Sequence, residues 1–78
     1  MRIPMSEETR GIAILGSTGS IGTQALDVIR EQSDILHVEV LTAGRNSDLL
    51  IKQALEFRPN AVVIADVSQR KKVFNALS

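Results

Sequence analysis

Seventy-eight residues at 8.5 kDa, 44% hydrophobic and 23% charged, make one small foldable domain at most. Nine Lys and Arg against nine Asp and Glu leave no net field to recruit nucleic acid or an anionic membrane. Without cysteine there are no disulfides, thiolate metal sites or thiol nucleophile, and His37 alone cannot build a multi-histidine site.

Phe57 and Phe74 are the only aromatic residues, too few for a base-stacking platform. No apolar run approaches the ~20 residues of a membrane-spanning helix. Met1 to Arg10 is polar, carries Glu7, Glu8 and Arg10, and lacks the apolar core of a secretory signal. Residues 1–10 are therefore expected to be a flexible lead-in, and the chain to be cytoplasmic.

Gly11 to Leu15 is a continuous apolar run and predicts a parallel strand covered on both faces. Beyond a glycine-rich turn, Ile21, Ala25, Leu26, Val28 and Ile29 fall on one helical face, with Gln24, Asp27, Arg30 and Glu31 outside. Val38 to Ala43 reads as a second strand. Asn46 and Ser47 are candidate N-caps for a helix whose apolar face is Leu50, Ile51, Ala54, Leu55 and Phe57, with Asp48 near its positive end. Pro59 ends that helix and biases Arg58 away from helical geometry. Ala61 to Ala65 is the third strand, and Asp66 or Ser68 caps a last helix through Val73, Phe74 and Leu77.

The order β-α-β-α-β-α predicts a parallel sheet with right-handed crossovers. The expected architecture is a three-layer Rossmann-type half-domain over residues 11–78.

The chemistry is concentrated in Gly16-Ser17-Thr18-Gly19-Ser20-Ile21-Gly22, between the first strand and the first helix. Its G-x-x-G-x-x-G spacing is one residue longer than the commonest dinucleotide fingerprint. Gly16 can take positive φ to leave the strand. Gly19, lacking Cβ, lets a diphosphate approach the backbone, and Gly22 lets the helix pack closely on the strand. Amides from Thr18 to Ile21 then face the anion, with hydroxyls of Ser17, Thr18 and Ser20 nearby. An ordinary Gly/Ser turn is the bland alternative. A Walker-type loop is disfavoured because Thr23, not lysine, follows Gly22.

After the second strand stands Thr42-Ala43-Gly44-Arg45-Asn46-Ser47. Folds that prefer NAD usually place an acid here for the ribose 2′-hydroxyl. This chain offers a cation instead, so Arg45 is expected to pair with a 2′-phosphate and select NADPH, with Asn46 and Ser47 adding donors. The alternative for Arg45 is a solvated surface residue. His37 reads as structural or solvent-facing, Arg70-Lys71-Lys72 as the outer face of the last helix, and Asp66 as a helix cap or an adenosine neighbour.

Ile14 to Gly22, Leu26 to Ile29, Leu41 to Asn46 and Glu56 to Pro59 together resemble the N-terminal part of 1-deoxy-D-xylulose 5-phosphate reductoisomerases. The resemblance runs from about Ile12 to Ile64. It implies an NADPH-dependent enzyme of non-mevalonate isoprenoid synthesis, bacterial or plastid. The implied reaction isomerises and reduces a phosphorylated sugar, 1-deoxy-D-xylulose 5-phosphate, to 2-C-methyl-D-erythritol 4-phosphate, with Mg²⁺ or Mn²⁺. It also implies cofactor contacts at Thr18, Gly19, Ser20, Ile21, Gly44, Arg45 and Asn46, where Arg45 often appears as lysine in the family.

Family members are several-fold longer and are expected to be homodimers. On this reading the chain is a partial NADPH-binding unit, inactive alone, with catalytic and metal residues outside it. Its first strand is expected to be an unpaired sheet edge that promotes self-association. Two other readings share the half-fold: a semialdehyde-dehydrogenase-type or N-acetyl-glutamyl-phosphate reductase, which needs a cysteine further on, and a nucleotide-sensing module without chemistry.

Overall fold

The computed structural model describes residues 9–78. Most of the expected lead-in, including Glu7 and Glu8, lies outside the described residues. Three strands alternate with three helices: β1 (Arg10–Ile14), α1 (Ser20–Glu31), β2 (Leu36–Ala43), α2 (Ser47–Phe57), β3 (Ala61–Ile64) and α3 (Arg70–Leu77), the last entered through a 3-10 turn at Val67–Gln69. β1 begins one residue earlier than the sequence predicts, because the Arg10 amide donates to Ile35 O at 2.9 Å.

The sheet has the order β1-β2-β3, and both pairings are parallel. A register shift between Ile12 and Ala13 leaves Glu39 as an extra residue in β2, since Ile12 pairs with Val38 and Ala13 with Val40. That bulge lets Val38 and Leu41, three residues apart, both be buried.

One core joins strands and helices: Ile14, Val38, Leu41, Ala43 and Ile64 against Leu26, Ile29, Leu50, Ala54 and Val73. Leu26, Leu41 and Leu50 are fully buried, each contributing about 1.5–3 kcal/mol of transfer free energy. Between α1 and α2, the Arg30 guanidinium grips Glu56 with two bonds of 2.5 and 2.9 Å. It also meets Asp27 at 2.6 Å and lies 5.1 Å from the centre of the Phe57 ring. These bonds hold the Glu56 carboxyl below the usual glutamate range.

A monotonic strand order with right-handed crossovers puts successive helices on one face, as the shared core and the Arg30–Glu56 bridge require. Of the expected three layers, the described residues build two, sheet and one helical layer. Ala13 and Val63, on the opposite side, are exposed rather than covered.

Some apolar positions predicted to be core are exposed. Leu15 follows the end of β1 and lies in the turn, and Ile21 sits in the first turn of α1, beyond the sheet. On α1 the buried line is Gly22, Leu26 and Ile29, which turns Val28 outward. On α3, Val73 is buried and its neighbour Phe74 is not. Arg58 leaves helical geometry, but into the left-handed region (φ 50°, ψ 57°) rather than an extended one. Its amide bonds to Ala54 O at 2.8 Å, closing the helix end.

Candidate functional site: two turns at one end of the sheet

Parallel strands bring both sequence-predicted site segments to the same end of the sheet. Thr18, Gly19, Ser20 and Ile21 follow β1; Gly44, Arg45 and Asn46 follow its neighbour β2. Three bonds fix the first turn to the second strand. The Gly16 amide donates to Thr42 Oγ1 at 2.9 Å, while the Ser17 amide and hydroxyl donate to Thr42 O at 2.7 and 3.2 Å.

Gly16 and Gly22 act as their spacing predicts. Gly16 has φ +75° and turns the chain off β1. A Cβ on Gly22 would stand 2.3 Å from Gly16 O and 2.7 Å from Ser17 Cα, so α1 packs directly against the turn. Gly19 is the extended N-cap of α1 and provides no side-chain cap. Its amide bonds to Gly16 O at 3.1 Å. Among the described residues, no acceptor takes the amides of Thr18, Ser20 or Ile21. The start of α1 is thus uncapped, with free amides and no Cβ at its mouth, the arrangement in which helix N-termini can receive anions.

Two predicted hydroxyl donors are not available to it. Ser17 is fully buried with its hydroxyl spent on Thr42 O, and Ser47, also buried, donates to Gln69 Oε1 at 2.7 Å. Ser20 and half-buried Thr18 remain at the surface.

Around the second turn, Asn46 is the cap of α2, accepting from the Leu49 amide at 3.2 Å through Oδ1. Arg45 is 90% exposed, with Nε 3.8 Å from Asp66 Oδ2. Asp66 caps the 3-10 turn, taking the Ser68 hydroxyl at 2.6 Å and the Ser68 amide at 3.0 Å. Those bonds, and to a lesser degree the Arg45 charge, hold its carboxyl below the ordinary aspartate range. The Asp66 amide donates to Gly44 O at 2.8 Å, fastening the turn after β3 to the turn after β2.

Sequence reasoning missed Gln53. This α2 residue is 6% exposed and donates to Ser17 O at 2.8 Å through Nε2. The available signal was a polar residue within the apolar stripe of Leu50, Ala54 and Phe57. At the opposite end of the sheet, His37 bonds Thr9 and Glu39, and Glu39 takes Asn60 Nδ2 at 2.7 Å. His37 is thus hydrogen-bonded and partly exposed, within the expectation of a structural or solvent-facing residue.

A parallel sheet in this order, with a glycine turn opening onto an uncapped helix, defines a Rossmann-type nucleotide-binding unit. Residues 12–78 match the family model described as 1-deoxy-D-xylulose 5-phosphate reductoisomerase. The chain belongs to that family.

Among its relatives, the reductoisomerase of Porphyromonas gingivalis is 54% identical over 69 residues, covering 88% of this chain and 18% of the relative. That of Phocaeicola vulgatus is 57% identical over 67 residues, covering 86% and 18%. A solved reductoisomerase from Zymomonas mobilis in complex with NADPH superposes with a TM-score of 0.84 at 38% identity, over 94% of this chain and 19% of that one. Another, in complex with magnesium, gives 0.81 at 29%, over 88% and 17%. The chain thus spans about a fifth of the length of the proteins it resembles, and matches their N-terminal part.

Proposed function

We propose that this chain binds NADPH through its adenosine half, as part of a 1-deoxy-D-xylulose 5-phosphate reductoisomerase. The diphosphate sits on the amides of Thr18, Ser20 and Ile21, reached across Gly19. Gly44, Arg45 and Asn46 surround the ribose, and the Arg45 guanidinium pairs with the 2′-phosphate. The observation that carries this reading is the pairing of two features on one sheet edge: an uncapped helix start with free amides, and an exposed arginine where an NAD-selective fold carries an acid.

Within the whole enzyme, the bound cofactor supplies hydride for reduction of the rearranged sugar phosphate. This chain's own part is to hold and orient the dinucleotide and to select its phosphorylated form. Among the described residues no three His, Cys, Asp or Glu side chains come together to hold a metal ion. They do not fit the Mg²⁺ or Mn²⁺ implied for the family. The parent enzyme acts as a cytoplasmic homodimer. No described helix is long and apolar enough to cross a membrane.

Arg45→Ala tests the assignment. It is expected to weaken NADPH binding by about 1.5–3 kcal/mol, the range of a charge-assisted hydrogen bond, and to leave NADH binding unchanged. Calorimetric titration with both cofactors reads this directly. Equal losses for the two would overturn the reading.

A further inference from the structure

We infer that Gln53 is a positioning residue for cofactor binding, aiming the Thr18 amide at the diphosphate. The inference rests on the reading above and adds to it a residue that never touches the ligand. Gln53 lies two turns into α2, yet its Nε2 reaches across to the Ser17 carbonyl at 2.8 Å, within the core. A trans peptide is planar, with its C=O and the following N–H pointing in opposite directions. A bond that draws the Ser17 carbonyl inward therefore turns the Thr18 N–H outward, to the open side of the turn.

The neighbouring peptide is fixed independently. The Ser17 amide is held on Thr42 O at 2.7 Å and the Gly16 carbonyl by the Gly19 amide at 3.1 Å, bonds that set the Gly16–Ser17 plane but not the Ser17–Thr18 plane that follows it. Its orientation falls to Gln53. If it flipped, a carbonyl dipole would face the anion in place of a donor, exchanging attraction for repulsion. The cost of keeping Gln53 is visible: its Oε1 is buried with no partner, a penalty that an apolar residue in the stripe would avoid.

The test compares Gln53→Met, close in shape but unable to donate, with the unmodified chain. The ligands are NADPH, ADP, which carries a diphosphate, and 2′-AMP, which has none. The expected result is an affinity loss of about three- to tenfold for NADPH and ADP, with 2′-AMP unchanged. In amide NMR spectra, the Thr18 shift on adding NADPH should shrink while those of Arg45 and Asn46 persist.

Equal losses for all three ligands, or none, would overturn the inference. If NADPH moves neither Thr18 nor Arg45 in the unmodified chain, the binding reading itself falls. A measurement on the unmodified chain covers failure of the variant to fold. The Gln53 side-chain amide protons should exchange far more slowly than those of exposed Gln24; equal rates would refute the inference.

Discussion

Replacing Gly22 with alanine sets two effects of opposite sign against each other. In an ordinary helix interior the change is favourable by about 0.8–1.0 kcal/mol. Here the new methyl would lie 2.3 Å from Gly16 O and 2.7 Å from Ser17 Cα, and α1 must withdraw by about 0.7 Å before the first contact reaches 3.0 Å. Both obstructing atoms belong to the backbone, so no rotamer change relieves them. Overpacking costs about 1–3 kcal/mol even where side chains can yield, and this site stands at the upper end of that range. The net expectation is destabilisation by about 1–2 kcal/mol, or a Tm lower by about 5–15 °C for a domain this small. Urea and thermal unfolding followed by circular dichroism provide the measurement. Gly44→Ala is the control, because it has open space and no positive φ, and it should stay within about 0.5 kcal/mol of the parent. A Gly22→Ala chain as stable as the parent, or more so, would refute the close-packing argument.

Gly19→Ala should separate stability from binding. Its Cβ would rest 3.6 Å from Gly16 O, an ordinary contact, so Tm should hold while NADPH affinity falls about tenfold or more in titration. Acid unfolding should involve Glu39, whose carboxyl is held below the usual range by bonds from His37 and Asn60. A depressed folded pKa contributes stability above the unfolded value and loses it as pH falls through the folded one. Glu39→Gln should therefore flatten the pH dependence of Tm on the acid side of the ordinary glutamate range, and an unaltered profile would count against the cluster. The β1 edge, unpaired among the described strands, and exposed Leu15 and Val63 should favour self-association. Sedimentation coefficients that do not change on dilution would contradict this.

Much of the fold was legible because it rests on short-range rules. Apolar runs alternating with helical stripes gave the βαβ order, and Gly16 and Gly22 were readable from backbone freedom and close approach. What failed was direction. Ser17 and Ser47 have the composition of anion donors, but both are buried and their hydroxyls went to Thr42 and Gln69. Val28 and Phe74 fall near a helical stripe, yet each is displaced by one position, about 100°, from the buried line set by Ile29 and Val73. Arg58 was expected to leave helical geometry before Pro59 and does; the bond its amide makes to Ala54 O accompanies a left-handed conformation that the sequence did not specify. The Gln53 contact joins residues 36 apart in sequence, and no local pattern encodes it beyond a polar interruption in an apolar stripe.

The surplus residue in β2 has an evolutionary consequence. Side chains on a strand change sides with every step, so Glu39 sets the parity of everything downstream to Ala43. Deleting it while the start of the strand stays put would swing Leu41 out to water and drive Thr42 among the leucines. The hydroxyl that meets the Gly16 amide would be lost from its post. Length changes in this strand are therefore tolerable only in pairs.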